Sequence, residues 1–194
     1  MPRSPSAPRL LDAAEALLVE GAGDLEMRAV GRRAGLSEGL AYHHYRNKAG
    51  LVSAVVARFF DRYEAVLNRH RDRDRPWAER ERERLEELVD FLYGEPLARV
   101  VFGNLARLPE SAAAEGERRR ALVLRAAHNI RSGQAQGALP GTLDAELAGA
   151  AIIGAVNEVV GWSFAQTTPP PKQAVVEALW RTIAGAVGLE LQED

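Results

Sequence analysis

Residues 25–51, LEMRAVGRRAGLSEGLAYHHYRNKAGL, constrain this chain more than any other stretch: they read as two short helices separated by one glycine turn. Met27, Val30 and Ala34 recur at helical spacing and give the first of them a single apolar face. Gly35 follows as the residue able to take the left-handed conformation that ends a helix. Ser37 then offers its hydroxyl to an orphan backbone N–H of the next helix, with Leu36 ahead of it as a hydrophobic staple. That second helix is predicted from Glu38 to about Tyr45, polar on the side away from its apolar residues. Helix, glycine turn and capped short helix form a unit suited to laying one helix into the major groove of DNA.

The rest of the chain also reads as helix, and no segment has the alternation of a strand. Leu10, Leu11, Ala14, Leu17 and Leu18 stripe a first helix from Arg9 to about Glu20 that stops at Gly21. Asn47 is placed to cap a long fourth helix striped by Leu51, Val55, Phe59, Tyr63, Val66 and Leu67 and reaching about His70. The charged stretch 71–77, RDRDRPW, is a connector. A fifth helix turns Leu85, Leu88, Val89 and Leu92 inward and its run of alternating charges outward. Pro96 and Pro109 bracket a sixth, with Val100, Val101, Phe102 and Leu105. A seventh is predicted from about Ala113 to Gln136, an eighth from about Asp144 to Gln166 and a ninth from Lys172 to about Val187, separated by loops rich in glycine and proline.

The first third of the chain resembles the DNA-binding region of the tetracycline-repressor (TetR/AcrR) family of bacterial transcription regulators. The matching residues are Val30, Ala34-Gly35-Leu36-Ser37, Gly39, Tyr42-His43-His44-Tyr45, Lys48 and Leu51. The resemblance implies an all-α protein of about nine helices. Residues 1–47 would form a three-helix helix-turn-helix DNA-binding domain, and 48–194 a larger helical domain for ligand binding and dimerisation. It also implies that Tyr42 and Lys48 hold backbone phosphates and that Arg28 reaches base or phosphate. Ser37, Glu38, Gly39 and Leu40 stand at the N-terminal end of the recognition helix, where side chains meet base edges. An Arg fork there can address guanine O6 and N7, and a Glu can accept from cytosine N4. His43 and His44 stay open between a DNA contact and packing.

Three positions depart from the family pattern. Where Ala41 stands the family usually carries a large apolar residue, and where Leu40 stands a small or polar one. Leu40 therefore either faces the groove, touching a thymine methyl, or is buried by a slight rotation of the helix. Glu26 replaces the Thr or Ser that commonly caps the second helix, which leaves Asp24 as a substitute cap.

For the larger domain the resemblance implies a small-molecule pocket and a dimer interface built from the last two helices. Polar and aromatic residues suited to the pocket are Phe91, Tyr93, Phe102, Asn104, His128, Asn157 and Trp162. Small residues among apolar ones on the eighth helix (Ile153, Gly154, Asn157, Gly161), with Val176, Leu179 and Ile183 on the ninth, suit close helix approach between copies.

Composition bounds the alternatives. The net charge of −2 excludes a protein that coats DNA indiscriminately, but it leaves room for a small basic face around Arg28, Arg32, Arg33, Arg46 and Lys48. Cysteine is absent, which excludes disulfides, thiolate metal sites and cysteine nucleophiles. The tandem histidines face different directions on a helix, so no metal site is expected, and no cofactor. No catalytic motif is present, so an enzyme is not expected. The N-terminus has no apolar leader, and no long run is uninterruptedly apolar, so a cytoplasmic protein without a membrane segment is expected. The resulting reading is a homodimeric, ligand-responsive repressor on a pseudo-palindromic double-stranded DNA operator. The alternative is a helical protein-interaction module that has lost DNA binding.

Overall fold

The computed structural model describes residues 6–72, 74–103 and 112–190. Among them the chain is helical, with no strand. The elements are α1 (Ser6–Glu20), α2 (Met27–Ala34), α3 (Glu38–Tyr45), α4 (Lys48–Leu67), α5 (Trp77–Gly94), α6 (Pro96–Gly103), α7 (Ala112–Ala135), α8 (Ala145–Ala165) and α9 (Lys172–Val187). They divide into two compact units. One holds the chain up to Ala65 together with the stretch beginning at Glu95; the other holds Val66–Gly94 and the chain from Ala112 onward.

In the first unit the apolar stripes meet. Leu10, Ala14 and Leu18 of α1, Val30 of α2, Ala41 of α3 and Leu51, Val55 and Phe59 of α4 are all fully shielded from solvent. Each large aliphatic or aromatic side chain buried in this way contributes on the order of 1.5–3 kcal/mol relative to exposure. Around that core lies a charged clasp. Arg58 pairs with Asp12 at 2.6 Å and with Glu15, while Arg62 pairs with Glu15 at 2.8 Å and Glu95 at 3.1 Å. One carboxylate, Glu15, thus serves two arginines of α4.

In the second unit Trp77 anchors a core with Ala127, Ile130, Leu139, Ala145, Ala148 and Val187. Its indole N–H donates to the Asn129 carbonyl at 2.9 Å. Gly133 makes that anchoring sterically feasible, because a Cβ there would stand 2.9 Å from both the Trp77 and Leu139 side chains. The connector is more structural than its charge suggests. Arg71 is buried, bonded to Glu87 at 2.7 Å and to the Arg69 carbonyl at 3.0 Å. Likewise Arg80, expected on the solvated face of α5, turns inward to Gln136 at 3.0 Å.

Helix ends follow local chemistry. Asp144 accepts from the N–H groups of Glu146 and Leu147 at the start of α8, and Gly188, at φ 67°, ends α9. By length and composition alone α8 is long and apolar enough to cross a membrane, although Glu146, Asn157 and Glu158 interrupt its apolar run. One side of it packs on α7 and α9 and carries its buried residues. Asn104 and the stretch through Pro109, including Leu105, lie outside the described residues.

Candidate nucleic-acid interface

The turn between α2 and α3 is closed by backbone geometry. Gly35 sits at φ 63° and its N–H bonds the Arg32 carbonyl, while the Leu36 N–H bonds the Gly31 carbonyl at 2.9 Å. Arg9 adds a side-chain donor to the Ala34 carbonyl, satisfying another orphan acceptor of α2. Gly31 was not singled out from the sequence. A Cβ there would lie 3.1 Å from the Leu36 carbonyl oxygen and 3.2 Å from the Glu38 nitrogen, so the two helices meet over a missing side chain. The available signal was its place one turn after Met27, on the buried face of α2.

Ser37 caps α3 as expected, its side chain accepting from the Leu40 N–H at 3.2 Å. Ala41 is the one residue of α3 that is fully buried, and Leu40 is half-buried. A residue as small as alanine brings the helix close to the core and leaves Leu40 at the edge of the packed face. Two further bonds hold the back of α3 to α1: Tyr45 donates to the Ala7 carbonyl at 2.9 Å, and His44 Nε2 lies 2.7 Å from Ser6 Oγ. His44 therefore spends one ring nitrogen on packing, whereas His43 is exposed. Glu38, Gly39 and Tyr42 are exposed with it, so one face of α3 is open to solvent. A Cβ on Gly39 would meet nothing within 4 Å.

The α3–α4 junction is tighter. Asn47 accepts from the Gly50 N–H at 2.8 Å and caps α4. At Gly50 a Cβ would come within 2.3 Å of the Tyr45 carbonyl oxygen, so no larger residue fits without moving the backbone. Between them Arg46 takes φ 63°, a conformation that costs a non-glycine residue on the order of 1–3 kcal/mol.

Charge on this surface is unevenly free. Arg33 is paired with Glu20 at 2.6 Å and Lys48 with Asp24 at 2.8 Å. Arg28, Arg32 and Arg46 are exposed and have no carboxylate partner among the described residues. Asp24 is not the substitute cap of α2. Its Oδ1 accepts from the Leu25 N–H at 2.8 Å and from Lys48, and the N-cap position belongs to Glu26, whose side chain makes no capping bond. The hydrogen bond from Lys48 first, and that from Leu25 second, hold the Asp24 carboxyl below its usual range.

The residues proposed for the larger domain are distributed differently. Phe102 lies in the first unit, 6.3 Å from the Phe59 ring and 6.5 Å from Phe60. Tyr93, in the second, packs on Phe164 at 5.3 Å and donates to the Pro170 carbonyl at 2.9 Å. Phe91 and Asn157 are half-buried, His128 and Trp162 are exposed, and Asn104 falls outside the described residues. On the last two helices Ile153, Val176, Leu179 and Ile183 are buried within their own unit, and Gly154, Asn157 and Gly161 are half-buried. The side chains α8 presents outward are Glu146, Leu147, at 72% exposure, Ala151, Glu158, Trp162, at 62%, and Ala165. Beside them α9 exposes Ala174, Ala178, Arg181, Thr182 and Gly185. Both helices are apolar on more than one face, so their spacing does not say which arc points inward.

Comparison with known proteins agrees with this architecture. The family model described as bacterial regulatory proteins, tetR family, matches residues 10–55, and the one described as tetracyclin repressor-like, C-terminal domain, matches residues 74–187. A transcriptional regulator from Rhodococcus sp. Rha1 superposes with TM-score 0.75 at 20% identity, over 98% of this chain and 100% of its own. A TetR-like regulator from Rhodococcus sp. RHA1 gives TM-score 0.68 at 23% identity, over 97% and 99%. The regulator FadR from Bacillus subtilis, solved in complex with stearoyl-CoA, gives 0.75 at 17%, over 93% and 99%. At these identities the likeness is one of fold. No curated protein sequence matches the chain.

Proposed function

Since the chain belongs to the TetR family of bacterial regulatory proteins, we propose that it is a ligand-responsive repressor that reads a pseudo-palindromic operator as a homodimer. The observation that carries this reading is the exposed face of α3: a capped helix, held by its ends, that presents Glu38, Gly39, Tyr42 and His43 to solvent. Arg28 would supply a base contact. Tyr42 and Lys48 would hold phosphates, which fixes register without reading sequence. Gly39, with open space around its absent Cβ, would let the helix approach the base edges closely.

A twofold pair of such helices matches an operator whose half-sites lie about one helical turn apart. The outward ridge of Leu147, Ala151 and Trp162 on α8, with Ala174 and Ala178 on α9, supports dimerisation there. Large apolar side chains left in water are what a protein–protein interface covers. The stearoyl-CoA held by FadR supports a small-molecule effector. Such an effector and DNA would weaken one another's binding by the same factor.

The test is a mobility shift with the duplex immediately upstream of the protein's own gene, followed by footprinting. Two protected half-sites are expected, with a stoichiometry of one dimer. A monomer in sedimentation that shifts no promoter fragment at low ionic strength would favour a helical interaction module without DNA binding.

A further inference from the structure

The pairing of Lys48 with Asp24 bears on how strongly the interface can hold DNA, an inference that rests on the DNA-binding reading above. Lys48 opens α4, where free backbone N–H groups already favour an anion. Its ammonium is not directed into empty solvent: it lies 2.8 Å from Asp24 Oδ1, with the two side chains 52% and 82% exposed. The carboxylate is itself fixed, because the same oxygen accepts from the Leu25 N–H at 2.8 Å. An oxygen anion thus already sits on the lysine that the interface would use for a phosphate. The other basic groups nearby differ: Arg33 is held by Glu20, and Arg28, Arg32 and Arg46 have no carboxylate partner among the described residues. Lys48 is therefore the basic side chain common to the proposed phosphate contacts and the internal ion pairs.

We infer that Asp24 is an internal competitor for the DNA phosphate at Lys48, so that docking exchanges one ion pair for another and the protein binds DNA less tightly than its basic groups alone would allow. Two consequences follow. An ion pair traded for an ion pair releases less counterion than a free lysine meeting DNA, so Asp24 flattens the salt dependence of binding. The contact is to backbone, so Asp24 lowers affinity for every sequence alike and leaves specificity unchanged.

The test uses the full-length protein and two duplexes of equal length, the one upstream of its own gene and one of unrelated sequence. Asp24→Asn keeps an oxygen for the Leu25 N–H, and its thermal unfolding should match wild type. Asp24→Asn should tighten both duplexes by about 2- to 5-fold, keep their ratio, and steepen the slope of log K against log salt by up to about one. In a Lys48→Ala background the same substitution should gain less than half as much on a logarithmic scale. An equal gain in both backgrounds would show general repulsion between Asp24 and DNA, and would overturn the competition. Weaker binding by Asp24→Asn would show instead that Asp24 aims Lys48 productively, and would overturn it too. If wild type and every variant bind neither duplex at low salt, the DNA-binding reading itself fails.

Discussion

In the first unit, α3 buries a single residue completely, Ala41, and gives the rest of its length to solvent or to the edges of neighbouring helices. In the second unit, α8 buries a full stripe, from Ala145 through Val156 to Val160, and still leaves Leu147 and Trp162 in water. The two helices solve opposite problems. Eight residues of helix are too few to be stable alone, so α3 depends on its ends: Ser37 at one, Tyr45 bonded to Ala7 and the Gly50 junction at the other. Its outer face is polar and costs nothing to expose. The outer face of α8 sets Leu147, Ala151 and Trp162 among Glu146 and Glu158, and covering its apolar members is favourable. Exposure thus has different meanings: a polar helix held by caps is stable in water, and apolar side chains left in water are those that the proposed dimer would cover.

The largest effect is expected from breaking the apolar side of that contrast. Leu147→Glu with Trp162→Glu should leave each chain folded and turn a dimer into monomers in sedimentation. Operator affinity should then fall about 100-fold or more, because the second head no longer binds at high effective concentration. Unchanged sedimentation would take the ridge out of the interface. Next comes the polar side. Gly50→Ala forces a Cβ against the Tyr45 carbonyl and should destabilise the first unit by about 1–3 kcal/mol or more. Thermal unfolding and DNA titration should register it, while the protein stays dimeric.

Within the interface, Arg28→Ala should cost about 1–3 kcal/mol and relax preference at one base pair per half-site. A selection from randomised duplexes would show this, whereas Lys48→Ala should weaken all of them alike. The smallest effect is the cap: Ser37→Ala should cost about 1 kcal/mol of stability, largely recovered in Ser37→Asp. A wild-type melting temperature in Ser37→Ala would mean that α3 is held by its far end alone.

Several helix boundaries were legible in the sequence because they are set by neighbours along the chain, whereas α1 begins at Ser6 rather than Arg9 and α4 ends at Leu67 rather than about His70. Gly35 ends α2, Ser37 and Asn47 open α3 and α4, Asp144 opens α8, and Gly188 ends α9, each through groups a few residues apart. The fold class followed from the same local signals. The facing of α8 and α9 did not. Val176, Leu179 and Ile183 are buried in their own unit while Leu147 and Trp162 are exposed, and the spacing of apolar residues along the two helices does not separate these groups. Nor did the burial of Arg71 and Arg80, whose partners Glu87 and Gln136 lie 16 and 56 residues away.

The sequence alone thus determined the helical class and the caps and glycine turn that bound α2, α3 and α8, since caps, left-handed glycines and apolar spacing act within a turn or two of backbone. Tertiary structure decided the rest: that Ala41 and not Leu40 takes the fully buried place on α3, that His44 faces Ser6, and that Lys48 is already held by Asp24. Those outcomes depend on which surfaces meet after the chain returns on itself. A side chain with two faces open to it is assigned by packing and by charge across space, and neither is written in its immediate neighbours.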